Sequence, residues 1–214
     1  VEDLALGVFS FAKYLMWKDL TDRVDQLKSN AVVRHLIETP REPFIGEDCF
    51  PDASELDVEL DASEIFAPLP ADSSQLAAVV ASGRGCDFVL DGPPGTGKSQ
   101  TIANMIAHNL ALGRKVLFVA EKMAALEVVY RRLEARGLAP FCLELHSNKA
   151  NKFQVIQQLG RAWDPRDAVA AEEWSQETGK LSALRDALNT LVSLLHATAD
   201  TGMSLFDAIG RTVK

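Results

Sequence analysis

Apolar residues along the chain fall first into a helical rhythm. Phe9, Phe11, Tyr14, Leu15 and Trp17 predict a helix near residues 8–20, and Val32, Val33, Leu36 and Ile37 predict another near 30–38. Prolines at 40, 43, 51, 68 and 70 then break the pattern into loop with short extended pieces. Asp72, followed three residues later by Gln75, has the form of a capped helix start, and Gly83 and Gly85 predict that helix's end. From Cys86 the texture changes. Three short apolar runs, 86–90, 116–120 and 141–145, alternate with amphipathic stretches. The first stretch carries Ile102, Met105, Ile106 and Leu110 and closes at Gly113; the second carries Met123, Leu126, Tyr130 and Leu133 and closes at Gly137. Phe153, Ile156 and Leu159 mark a shorter helix after the third run. Apolar, β-branched runs alternating with helices of about 15 residues predict βαβ crossovers and a buried parallel sheet.

Beyond Asp164-Pro165, an N-cap and first-turn proline pair, Trp174, Leu181, Leu188 and Leu195 recur every seventh residue, with Leu184 and Leu191 as a second seam. This predicts a long helix over 166–200 ending near Gly202, then a further helix opened by Ser204 and Asp207. Glu177, Thr178 and Gly179 interrupt the seam, which favours a stalk packed within one molecule over a homodimeric coiled coil. The expected organisation is α/β in three parts. Residues 1–70 form an N-terminal helical segment with an acidic linker, 71–163 a parallel-sheet core, and 164–214 a helical stalk.

Composition narrows the class. Of 214 residues, 47% are hydrophobic and 24% charged, which is globular and excludes a disordered or collagen-like chain. No apolar run reaches the ~18 residues of a membrane helix. No basic segment precedes the apolar residues 4–12, so no signal peptide is expected. Cys49, Cys86 and Cys142 form no CxxC pair, which predicts neither a disulfide framework nor a zinc site, and a reducing, cytoplasmic setting. The chain opens on Val1 rather than a methionine and reads as an excerpt of something longer. The net charge of −8 is concentrated: ten of the 30 acids lie between Glu42 and Gly83, a stretch without Lys or Arg. Acidity confined to a connector argues only weakly against a nucleic-acid partner.

The residues that carry chemistry are Gly92, Pro93, Pro94, Gly95, Thr96, Gly97, Lys98 and Ser99. Glycines at this spacing let the backbone wrap so that successive N–H groups face phosphate oxygens, and the helix that follows adds its positive end. Lys98 would reach the terminal phosphates and Ser99 would offer its hydroxyl to Mg²⁺.

Three segments together, GPPGTGKSQTI at 92–102, VLFVAEKMAALEVVYRRL at 116–133 and ELHS at 144–147, resemble motifs I, Ia and Ib of superfamily 1 helicases. The branch is the one that includes the nonsense-mediated-decay helicase. Closer still is the likeness to large bacterial proteins in which such a core is often joined to a nuclease-like domain. LGVFSFAKYLMWKDL at 6–20 resembles the segment ahead of motif I in those proteins, whereas Glu121-Lys122-Met123 stands where Pro-Ser/Thr-Asn is common. The resemblance implies a P-loop NTPase of RecA-like fold, incomplete in these residues, with ATP and Mg²⁺ as cofactors and single-stranded DNA or RNA as partner. It implies catalytic roles for Lys98 and Ser99, and nucleotide contacts from residues 92–99, Gln100 and Gln75, the last reading the adenine edge. It also makes Lys122, His146 and Ser147 backbone contacts to nucleic acid. On the residues alone, Gln75 is equally a capping-box glutamine, and Lys122, His146 and Ser147 are equally solvated loop residues.

No apolar strand ending in Asp-Glu follows, so the carboxylate that holds Mg²⁺ in such ATPases is missing from these residues. The expectation is binding of nucleotide without hydrolysis. Two alternatives stay open: an AAA+ ATPase, and a non-catalytic nucleotide-gated module whose heptad helix recruits a partner. Self-association through 166–200 or through exposed sheet edges also stays open.

Overall fold

The computed structural model describes Gly7, Gly46 and residues 11–44, 49–145, 152–163, 171–200 and 202–212. The chain divides into two units, Val1–Glu47 and Asp48–Lys214.

In the first unit, α1 (Phe11–Asp22), α2 (Val24–Leu27) and α3 (Ala31–Glu38) follow one another across short turns. Asn30 caps α3 by accepting from the Val33 N–H at 3.0 Å, the orphan donor that a short polar side chain satisfies. At the other end Thr39 closes on His35 Nδ1 at 2.9 Å, and the Phe44 ring lies against the His35 imidazole.

The second unit is built on three helices that pack in sequence order: α5 (Ser73–Arg84), α6 (Lys98–Ala111) and α7 (Met123–Glu134). Ahead of them lies the single turn α4 (Leu56–Glu59), where the proline spacing predicts loop with short extended pieces. α5 starts as its sequence predicts: Asp72 Oδ1 accepts from Gln75 N–H, Gln75 Oε1 accepts from Asp72 N–H, and Gly85 ends the helix in the left-handed region. Its buried residues, Ala77, Ala78, Val79, Val80, Ala81 and Gly83, are nearly all small, so α6 comes close. Gly83 marks the closest approach, where a Cβ would lie 2.4 Å from His108 Nε2. Ala103 and Ile106 of α6 meet Val129 and Leu133 of α7 in the apolar core, with Leu69, Phe118 and Leu138 against it. Each large side chain buried there contributes about 1.5–3 kcal/mol.

The parallel sheet does not form. Among the described residues no segments pair into a sheet; Thr198 and Ser204 make one isolated antiparallel bridge. Residues 86–90 and 116–120 form neither helix nor strand, and 141–145 begins with the end of a 3-10 turn, Ala139–Phe141. The physical reason is visible in their side chains: Val89, Leu117 and Val119 are 95%, 88% and 76% exposed. An apolar β-branched run fits a pleated, half-buried surface, but without a neighbour it has no ladder and no face to bury. The α/β, P-loop RecA-like expectation is therefore corrected: the described fold is helical.

The cysteine expectation is corrected as well. Cys49 and Cys86 are joined, their Cα atoms 5.9 Å apart, within the span a disulfide bridges. Phe50 and Phe88 pack edge to face beside them. Spacing along the chain could not reveal this, because the two cysteines lie 37 positions apart. Cys142 keeps its thiol, half-buried and donating to the Leu138 carbonyl, and burial raises its pKa.

Three further helices complete the described residues: α8 (Lys152–Trp163), α9 (Ala171–His196) and α10 (Leu205–Thr212). Asp164 and Pro165, read as a helix start, lie outside the described residues. α9 lies against 57–66 of the same chain. Arg185 donates to the Leu60 carbonyl at 2.8 Å, Asn189 to Asp57 at 3.0 Å, and Trp174 stacks on Phe66 with centroids 5.4 Å apart. The buried residue of this face is Thr178, one of those that interrupt the heptads, while Leu181, Leu184, Leu188 and Leu191 are exposed. α10 opens on the predicted Ser204–Asp207 pair, whose hydroxyl and carboxylate meet at 2.7 Å and hold the Asp207 pKa below its ordinary value. Among the described residues no helix is long and apolar enough to cross a membrane.

Candidate functional site

The loop between residue 91 and α6 turns on its glycines. Gly95 and Gly97 have φ of 90° and 77°, the left-handed region that side chains disfavour. Gly92 has an ordinary φ, but a Cβ there would fall 2.8 Å from Thr96 Oγ1 and 3.2 Å from the Lys98 stem. Thr96 closes the turn from within, its hydroxyl donating to the Pro93 carbonyl at 2.9 Å. Pro94 is exposed at the tip.

Gly97 is also the N-cap of α6 and supplies no side-chain cap. The Gln100 and Thr101 N–H groups bond back to Gly97 O at 2.8 and 2.9 Å. Those of Lys98 and Ser99, at the first two helical positions, have no acceptor within the helix. The helix dipole favours negative charge at this end. Lys98 is exposed and folds its ammonium back over the loop, donating to the carbonyls of Gly92 and of Pro93, the latter at 2.9 Å. Ser99 is half-buried on the first turn. Among the described residues no group of three or more His, Cys, Asp or Glu could hold a metal.

Gln75 reaches this loop from the first turn of α5. Its Nε2 donates to the Thr96 carbonyl at 3.0 Å while its Oε1 accepts from Asp72 N–H at 3.3 Å. Of the two roles that the sequence left open, the capping box is present, and the same side chain also bonds to the glycine loop. Gln100 turns the other way, donating to the Pro70 carbonyl. Lys122 is exposed at the N-cap of α7, and His146 and Ser147 lie outside the described residues.

Two more polar residues sit one and two turns further along α6: Asn104, which sequence reasoning missed, and His108, which its isolated place on a helical stretch predicts to be structural. Asn104 is fully buried, and its side-chain amide accepts from the Leu69 N–H and donates to the Leu69 carbonyl, both at 2.9 Å. His108 is buried and accepts from the Phe66 N–H on Nδ1 at 3.3 Å, which leaves its proton on Nε2. Gln100, Asn104 and His108, four residues apart, therefore share one face and grip the backbone of Pro70, Leu69 and Phe66 in reverse order. The signal in the sequence is the four-residue spacing of these three polar side chains along α6. This grip fixes residues 66–70, and with them the start of α5 and Gln75, against the helix that carries the glycine loop.

Burial lowers the His108 pKa, with the Arg114 charge adding to it. A histidine whose folded pKa lies below its unfolded value of about 6.5 contributes fully above that pH, and its contribution is lost as pH falls below it. The free energy of unfolding from urea titration is accordingly expected to drop between pH 7.5 and 5.5, by no more than about 1.4 kcal/mol per pH unit from this one group. The Asp52, Asp61 and Asp207 pKa values are lowered from 3.8 and do not titrate in that window. A flat profile, or an equal drop in His108→Gln, would refute the assignment.

No family model matches the chain, and no solved structure matches it. Two curated proteins are similar to parts of it. A Mycoplasma genitalium protein named uncharacterized ATP-dependent helicase MG140 is 55% identical over 124 residues, which is 56% of this chain and 11% of that protein. The homologue of that protein in Mycoplasma pneumoniae is 62% identical over 65 residues, 29% of this chain and 6% of the relative. The matches thus span about a tenth or less of the relatives' length.

Proposed function

We propose that residues 92–99 bind the phosphates of ATP with Mg²⁺, as the nucleotide-binding part of an ATP-dependent helicase of superfamily 1 acting on single-stranded DNA or RNA. The observation that carries this is the glycine loop itself. Left-handed Gly95 and Gly97 lead directly into α6, whose first N–H groups have no intrahelical acceptor. Similarity to proteins named as ATP-dependent helicases supports the same reading.

The residues present fit the nucleotide. Lys98 opens α6 and carries a point charge over the loop, bonded there to carbonyls that a terminal phosphate would outcompete for an ammonium. Ser99 fits Mg²⁺ in the way this ion binds with nucleotides, through one protein oxygen, phosphate oxygens and retained water. When bound, Mg²⁺ supplies neutralisation of phosphate charge. Gly92, Gly95 and Gly97 let the backbone approach the phosphates, and Pro93, Pro94 and Thr96 shape the turn between them. Lys122, with His146 and Ser147, is the proposed contact to the nucleic-acid backbone.

Replacing Lys98 by Ala is expected to weaken a fluorescent ATP analogue at least tenfold, read by anisotropy. Unchanged affinity would sink the assignment. The same 214 residues are expected to release no phosphate above buffer, with or without single-stranded DNA, for want of the Mg²⁺-holding carboxylate and an arginine finger. DNA-stimulated release that disappears in Lys98→Ala would overturn that second expectation.

A further inference from the structure

α9 is held to its own chain through one face and carries an apolar face beside it. The held face consists of Trp174 on Phe66, the buried Thr178, Arg185 on the Leu60 carbonyl and Asn189 on Asp57. Leu181, Leu184, Leu188 and Leu191, three and four residues apart, form a stripe that lies roughly 100° around the helix from it. Packing within the chain, which the interrupted heptads predict, is therefore made by a face other than the heptad seam. The seam resumes after the interruption at 177–179 and runs on unbroken, its four leucines 53–69% exposed and flanked by the exposed Val192 and Leu194. α10 reaches the far end of α9, where the Phe206 ring lies against His196 with centroids 4.7 Å apart, and leaves these leucines open to solvent.

We propose that this seam is an interface between two copies of the chain, with α9 of one copy lying along α9 of the other about a two-fold axis. A seam of one residue type on a seven-residue repeat supplies both knobs and holes, so a second copy fits it without any further feature. A charged target would need complementary groups, and residues 187–195 carry no charge at all. The area also suits a pair. Six large side chains at about 100 Å² of apolar surface each bury on the order of 1,200 Å² across two copies, the lower edge of a specific interface. Association is accordingly weak and concentration-dependent. It stops at two, because an isologous contact covers both seams. The inference is independent of the glycine loop, and its test needs no nucleotide.

The test is sedimentation equilibrium of the 214-residue chain, whose mass is expected to rise with concentration from one chain toward two and no further. Leu188→Glu sets like charges against each other in the seam and should weaken the dimer at least about a hundredfold. Leu188→Ala, which favours helix, should weaken it at least about tenfold by removing apolar surface from both copies. Circular dichroism checks that α9 persists; if it fails in the glutamate variant, the alanine variant decides. Leu117→Glu, at a leucine that is also exposed but lies outside α9, should dimerise like wild type. The mass of a single chain at every concentration overturns the proposal and leaves the seam to a different partner. A mass that climbs past two chains, or a dimer as strong in both Leu188 variants as in wild type, also overturns it. So does a dimer weakened equally by Leu117→Glu.

Discussion

Alanine at position 104 is expected to lower the free energy of unfolding by about 2–4 kcal/mol. Asn104 is completely shielded from solvent, and its one amide satisfies both polar groups of the Leu69 peptide, each at 2.9 Å. Removing it leaves the N–H and C=O of the half-buried Leu69 without partners, each costing roughly 1–2 kcal/mol, the lower part of the range for buried groups. Chemical denaturation followed by circular dichroism gives the number, and hydrogen exchange at the Leu69 amide gives the place. Asn104→Asp is the sharper variant: it can still accept from the Leu69 N–H but opposes the Leu69 carbonyl with an oxygen and buries a charge. A loss below about 0.5 kcal/mol in both variants, the scatter of ordinary surface changes, would mean that residues 66–70 are not held by α6.

Reduction of the Cys49–Cys86 bond is expected to cost about as much or more. The bond closes a loop of 37 residues, for which chain entropy alone gives about 4 kcal/mol. The closed loop contains α4, residues 66–70 and α5, so the bond restrains the whole path from the acidic connector to the glycine loop. Thiol titration of unreduced protein under denaturing conditions should find one reactive cysteine, Cys142, and three after reduction. The urea midpoint should fall on adding reductant, and Cys86→Ser should show the lower midpoint from the start. Three thiols in the unreduced protein, or a midpoint indifferent to reductant, would refute the bridge.

Which parts of this structure were legible beforehand follows from what each signal depends on. The caps were legible because they are local: Asp72 with Gln75, and Ser204 with Asp207, satisfy donors within three residues of themselves. The glycine loop was legible for the same reason, since its turn is set by residues 92–99 alone. The strands were not. Val116–Ala120 has the composition of a buried strand, yet composition says nothing about which segment supplies its hydrogen bonds, and here none among the described residues does. Asn104 and His108 were hidden differently. Their partners are backbone groups 35 and 42 residues away, and a backbone leaves no mark in a sequence. Gln75 shows both cases at once, its cap readable from position 72 and its bond to Thr96 readable only in three dimensions.

The close approach of α5 and α6 has a consequence for how related sequences can drift. Where a Cβ at position 83 would come 2.4 Å from the imidazole of His108, the two sites share a single volume. Any lineage that gains a side chain at 83 has to shrink or turn the one at 108, and in doing so gives up the acceptor for the Phe66 N–H. A side chain at 83 is therefore expected only together with a smaller or differently turned residue at 108, whereas a change at 108 leaves glycine at 83 free to stay.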